Sequence, residues 1–170
     1  AEGDLAGSSG DELARAMSGC EEVHHCAALY AFWAKDATEF ERVNVAGTRT
    51  LVGAAAAAGV TRIVYTSSVA TVQPIKDVAA DESSWARVED APGPYKRSKI
   101  RAEQEALRLV REEGAPVVVV NPSAPVGLRD IKPTPTGRMI VDFLEGRMPA
   151  FVDTGLNIVD VDDVAEGHVL

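Results

Sequence analysis

Cysteine is scarce in this 170-residue chain, with only Cys20 and Cys26 present. Their spacing matches neither a zinc site nor a disulfide framework, which points to a reducing cytoplasm. Positive charge is also short: 17 lysines and arginines face 26 acids, a formal net charge of −9. No basic cluster offsets it locally, which excludes a nucleic-acid partner gripped by its phosphates. No apolar run approaches the length of a membrane span, and Ala54–Ala58 is too short and too weakly apolar to count. An initiator methionine is missing at Ala1, and Leu170 falls in what reads as the first turns of a helix. The expectation is a piece of a longer protein, truncated at both ends.

What is there suits one ordinary globular core, since 46% of residues are hydrophobic and 25% charged. Ser9-Gly10-Asp11-Glu12 predicts a capped short helix ending near Gly19. Glu22–Ala28 reads as a short β-type run. Thr38 predicts the start of a long helix to Ala58, with Phe40, Val43, Gly47, Leu51, Ala54 and Ala58 on its apolar stripe. Arg62–Ser67 reads as a buried strand. A polar loop spans Gln73–Pro94, and a helix runs from about Tyr95 to Glu113. Val117–Val120 reads as a strand buried on both faces. A helix near Met139–Glu145, a short run Asn157–Val161 and a final helix complete the chain. Strand, helix, strand, helix, strand predicts a Rossmann-like α/β fold: a doubly wound parallel sheet with helices on both faces.

Ligands of such sheets sit at the carboxyl ends of the strands, so residues after each strand become the candidates. Tyr95 and Lys99 lie one helical turn apart, a spacing that lets an ammonium favour a phenolate and suits proton transfer. Thr66-Ser67-Ser68 at a strand end can hydrogen-bond a ligand or simply form a turn. Asn121-Pro122-Ser123 carries the same two readings. Asn44 interrupts an apolar-striped helix, where asparagine is a poor helix former. His24 and His25 point to opposite sides of a strand, so a packed histidine is expected rather than a metal pair. Asp160, Asp162 and Asp163 are read as caps of the last helix, and no metal is assigned.

Several stretches, taken in order, resemble the extended short-chain dehydrogenase/reductase family, the NAD-dependent epimerases and dehydratases. They are Gly3-Asp4-Leu5, His25-Cys26-Ala27-Ala28, Asn44-Val45-Ala46-Gly47-Thr48, Tyr65–Thr71, Tyr95 with Lys99, Val120–Ser123 and Val161–Val164. Lys132–Asn157 is similar to bacterial hopanoid-associated sugar epimerases and to the dihydroflavonol 4-reductase group. The resemblance implies an NAD(P)-binding domain over 1–130 without its first βαβ unit, and the start of a substrate-binding region over 131–170. The family's Gly-rich turn, its main grip on the pyrophosphate, is expected before Ala1.

By the same resemblance, Ser68, Tyr95, Lys99 and Asn44 are catalytic, with Tyr95 depressed in pKa by Lys99 and by an oxidised nicotinamide. Asp4, Leu5, Cys26, Ala27, Ala28, Thr66, Ser67, Tyr95, Lys99, Pro122 and Ser123 contact NAD or NADP. Ser68 and Asn121 are substrate candidates, and Trp33, Lys132 and Arg138 join them from their places after strand ends or in the irregular segment. The implied activity is a sugar or sugar-nucleotide epimerase or other oxidoreductase. The alternatives are an NADPH-dependent carbonyl reductase and a non-catalytic cofactor sensor. The partners implied are a small sugar or carbonyl substrate and a second copy, paired through helices 38–58 and 95–113.

Overall fold

A capping box opens the first helix. Ser9 Oγ accepts the Glu12 amide and the Glu12 carboxylate accepts the Ser9 amide at 2.8 Å, so α1 (Gly10–Ala16) starts where the sequence predicts. The computed structural model describes residues 3–31, 33–150 and 152–170. Ala1 and Glu2, where the chain opens, and Phe151 of the Lys132–Asn157 stretch lie outside the described residues. Two compact units divide between Asn121 and Pro122.

In the first unit, β1 (Glu22–His25) is shorter than its apolar run, because Cys26, Ala27 and Ala28 leave the sheet as exposed loop. The long helix is not uniform. It runs as α2 (Thr38–Phe40), a π-helical turn over Glu41–Ala46, then α3 (Gly47–Ala57). Asp36 starts it rather than Thr38: its carboxylate accepts the Thr38 amide at 2.9 Å and the Thr38 hydroxyl at 2.7 Å. The wide turn also rotates the inward stripe. Phe40, Gly47 and Ala54 of the expected stripe are buried, but Asn44, Thr48, Val52 and Ala55 are buried with them, while Val43, Leu51 and Ala58 are only partly covered. Two polar side chains thus face inward, and wide turns of this kind cluster at functional sites.

Next come β2 (Arg62–Thr66), α4 (Gly93–Glu113) and β3 (Val117–Val120). Pro94 sits in the first turn of α4, and Gly114 ends it in the left-handed region at φ +69°. The three strands pair in parallel in the order β1-β2-β3, aligning His25 with Tyr65 and Tyr65 with Val119. Both crossovers step the same way, so right-handed connections lay α3 and α4 together on the face of Ile63 and Tyr65. Val52, Ala55, Ile63 and Leu109 form the core there, while Ala102 and Ala106 pack on Tyr65. Each large aliphatic buried this way contributes about 1.5–3 kcal/mol. On the opposite face Val64 of the central strand is buried, while His24 and Val118 on the flanking strands are exposed. Val118 is 53% exposed, so β3 is not the doubly buried strand its four valines predict.

The second unit pairs β4 (Ala124–Val126) in parallel with β5 (Ile158–Asp160) and carries α5 (Pro135–Leu144) and α6 (Val161–Val169). The sequence hides β4, a three-residue strand with a central proline. Thr134 caps α5, which begins four residues before Met139. Asp160 caps α6 by accepting the Asp162 amide at 2.8 Å, the capping role foreseen for these acids.

Candidate active site

Asn44 ties the site together. The widened turn aims its side chain out of the helix ladder and across two other elements. Its Oδ1 accepts the Leu29 amide at 2.7 Å, and its Nδ2 donates to the Leu29 carbonyl at 3.3 Å and to Ser98 Oγ at 2.9 Å. The Ser98 hydroxyl donates in turn to the Tyr95 carbonyl at 2.7 Å. One amide side chain thus fixes the loop after β1 and the first turn of α4, where Tyr95 stands.

Burial pushes the Tyr95 hydroxyl up to about 12, and the neighbouring Tyr30 adds to the rise. The Ser68 hydroxyl beside it favours the phenolate and works the other way. Ser68 also caps the short turn Val69–Thr71 by accepting the Ala70 amide at 3.1 Å.

Lys99 is 2% exposed and points at β2 rather than at Tyr95: Nζ donates to the Thr66 carbonyl at 2.8 Å and to Tyr65 OH at 3.4 Å. The expected depression of Tyr95 by Lys99 is therefore not what the structure shows, because the ammonium is engaged one turn away and burial dominates. Burial brings Lys99 itself down to about 8, opposed by the negative charge of Glu103.

A model of the NAD dependent epimerase/dehydratase family matches residues 1–170. The chain belongs to that family. It is 51% identical over 160 residues to a Synechocystis sp. protein provisionally named dihydroflavonol 4-reductase, covering 94% of this chain and 46% of that one. The crystal structure of gox2253 superposes with a TM-score of 0.91 at 54% identity, covering 98% of this chain and 50% of that one. A dTDP-glucose 4,6-dehydratase from Streptomyces venezuelae, DesIV, with NAD and DAU bound, gives a TM-score of 0.81 at 27% identity over 98% of this chain and 52% of its own. The chain thus spans about half the length of the relatives it matches.

Within this family member the other candidates fall into distinct places. Asp4 and Leu5 form a turn beside Gly47, where an added Cβ would meet Leu5 Cβ at 3.5 Å. Cys26, Ala27 and Ala28 are exposed past β1, and Thr66 Oγ1 donates to Cys26 Sγ at 3.4 Å. Trp33 stands exposed in the following loop.

Two candidates turn inward. Ser67 is 5% exposed and its hydroxyl donates to Glu103, so it does not line an open surface. Asn121 Nδ2 donates to Thr71 Oγ1 and to Glu103 Oε2, both at 2.8 Å, and to the Ser68 carbonyl at 3.3 Å. That amide is committed to shaping the turn. Pro122, Ser123, Lys132 and Arg138 belong to the second unit, where Arg138 pairs with Asp142 at 3.1 Å.

Three participants escaped the sequence reading. Tyr30 stacks obliquely on Tyr95, ring centroids 5.1 Å apart. Ser98 links Asn44 to Tyr95, and Glu103 gathers Ser67 and Asn121. The spacing Lys99–Ala102–Ala106–Leu109 marks the inward stripe of α4, and that stripe carries Glu103 with it. No comparable signal marks Tyr30. His25 is the packed strand histidine that alternation predicts, 2% exposed with Nε2 at 2.9 Å from Thr48 Oγ1. Among the described residues no group of three metal-ligating side chains is assembled.

Proposed function

We propose that the protein is an NAD(P)-dependent oxidoreductase acting at a carbonyl or carbinol carbon, and in the first instance a carbonyl reductase. The observation that carries this reading is the meeting of the Ser68 hydroxyl and the Tyr95 phenol at the carboxyl end of β2, with Lys99 anchored behind them on Thr66. Ser68 holds the substrate oxygen and Tyr95 gives it a proton. Burial keeps Tyr95 protonated at neutral pH, the state needed by a group that donates to a developing alkoxide. Asn44 is a positioning residue that fixes the turn bearing Tyr95.

The residues present fit a nicotinamide cofactor in part. Lys99 spends two of its three N–H donors on Thr66 and Tyr65, which leaves one for a ribose hydroxyl. Cys26, Ala27 and Ala28 offer exposed backbone past β1. Asp4, Leu5 and Thr66 complete the contacts proposed within the first unit. When bound, the nicotinamide supplies or accepts the hydride.

The reductase reading draws support from the 51% identity to the provisional dihydroflavonol 4-reductase. A second reading, an epimerase or dehydratase of a sugar or sugar nucleotide, rests on the likeness to the dTDP-glucose dehydratase. The two separate in one assay of the full-length protein. Stoichiometric consumption of NADH or NADPH with a dihydroflavonol supports the first. Conversion of a sugar nucleotide with no net change in cofactor overturns it in favour of the second.

We also propose pairing of two copies through residues 38–58 and 95–113. Within the chain the ion pairs Arg49–Glu105 and Arg101–Glu41, both at 2.6 Å, tie the two helical segments to each other. A monomer mass by light scattering would remove the proposed pairing. Cys20 and Cys26 are free thiols, in keeping with a cytoplasmic location.

A further inference from the structure

Glu103 is a carboxylate with no part in the proton relay, yet it is 5% exposed and central to the hydrogen bonds beneath it. Its Oε2 accepts from both the Ser67 hydroxyl and Asn121 Nδ2. It stands one helical turn beyond Lys99, whose ammonium holds the Thr66 carbonyl. Successive turns of α4 therefore grip successive residues at the carboxyl end of β2, Lys99 holding Thr66, the last of the strand, and Glu103 holding Ser67 just past it. Ser68 follows directly, its carbonyl held by the same Asn121 amide.

We propose that Glu103 is a positioning residue: its buried carboxylate is the counter-charge that keeps Lys99 an ammonium, and it anchors the turn that presents Ser68. Two opposite charges on adjacent turns of a buried face stabilise each other far more than an exposed pair, because little water screens them. The titratable groups facing Lys99 are His25 on β1, Tyr65 on β2 and Glu103 on α4. Of these, a carboxylate carries the only negative charge at neutral pH. The Lys99 midpoint near 8 already reflects the contest between burial and Glu103.

Glu103→Gln tests this, because an amide oxygen still accepts from Ser67 and Asn121 while the charge is gone. The readout is the 13Cε titration of Lys99 in full-length protein labelled at lysine, with Lys99→Met identifying the resonance. The Lys99 midpoint is expected to fall by about one pH unit or more in Glu103→Gln. An unmoved midpoint overturns the proposal. Glu103→Leu, a second charge-free variant, should lower the Lys99 midpoint by a similar amount, whereas Glu103→Asp, which keeps the charge, should leave it close to the parent value. These variants stand if Glu103→Gln does not fold, and a Lys99 midpoint unmoved in Glu103→Leu again overturns the proposal.

The kinetic consequence rests on the proposed role of Lys99 in turnover. There the alkaline limb of the pH–rate profile moves to lower pH with the Lys99 titration. A moved titration with an unmoved profile supports Glu103 as the counter-charge and counts against the role given to Lys99.

Discussion

Acid should unfold this protein partly through His25. The ring is 2% exposed, packed 5.2 Å from the Tyr65 ring, with Nε2 on the Thr48 hydroxyl. Thr48 gives its own proton to the Asn44 carbonyl at 2.6 Å, so the network assigns the Nε2–H tautomer to His25. A second proton would land on Nδ1, which has no hydrogen-bond partner among the described residues. Burial, reinforced by the Lys99 charge, lowers the His25 midpoint from 6.5 to about 4.

Between those values the unfolded chain binds the extra proton and the folded one does not. Stability from neutral His25 is therefore complete above about pH 6.5 and is lost as pH falls towards 4. From pH 7 to pH 5 the loss comes to about 2 kcal/mol. Urea denaturation of the protein and of His25→Gln at both pH values isolates it, because the carboxylates common to both cancel in the difference. The variant should lose about 2 kcal/mol less than the parent over this interval. Equal losses would refute the assignment of a buried neutral histidine.

Asn44→Ala removes three hydrogen bonds that hold the Leu29 loop and the first turn of α4. Thermal denaturation should show a loss of about 1–3 kcal/mol, with turnover reduced beyond what lower stability explains. Tyr30→Ala uncovers Tyr95 and removes a neighbour that raises its midpoint. The Tyr95 signal, taken as the difference in ultraviolet titration between Tyr30→Ala with and without Tyr95→Phe, should ionise below about 12, and a Tyr95 midpoint unmoved from the parent would deny the contact.

The elements were legible where local chemistry decides them. The Ser9–Glu12 box, Gly114 and the β-branched run at Ile63–Tyr65 act within a few residues, and each is where the sequence puts it. Phe40 to Ala58 was readable as a helix, and Phe40, Gly47 and Ala54 of its expected stripe are buried, but the polar part of its inward face was not readable. One widened turn rotates the stripe so that Asn44 and Thr48 are buried, and no residue period announces such a turn. The candidate site shows the same division. Tyr95, Lys99 and Ser68 stand in recognisable order, whereas the direction of Lys99 towards Thr66 and the inward turn of Ser67 depend on contacts 33 and 36 residues away in sequence. Val118 escaped too, since an apolar run does not reveal which face of its strand is covered.

The proton-transfer role of Tyr95 is tested most directly by Tyr95→Phe in the full-length protein, with turnover and cofactor binding measured side by side. Removing a positioned acid should lower the rate by about 10²–10⁴-fold while the cofactor dissociation constant stays put. Turnover within a few-fold of the parent, with cofactor still bound, would contradict it.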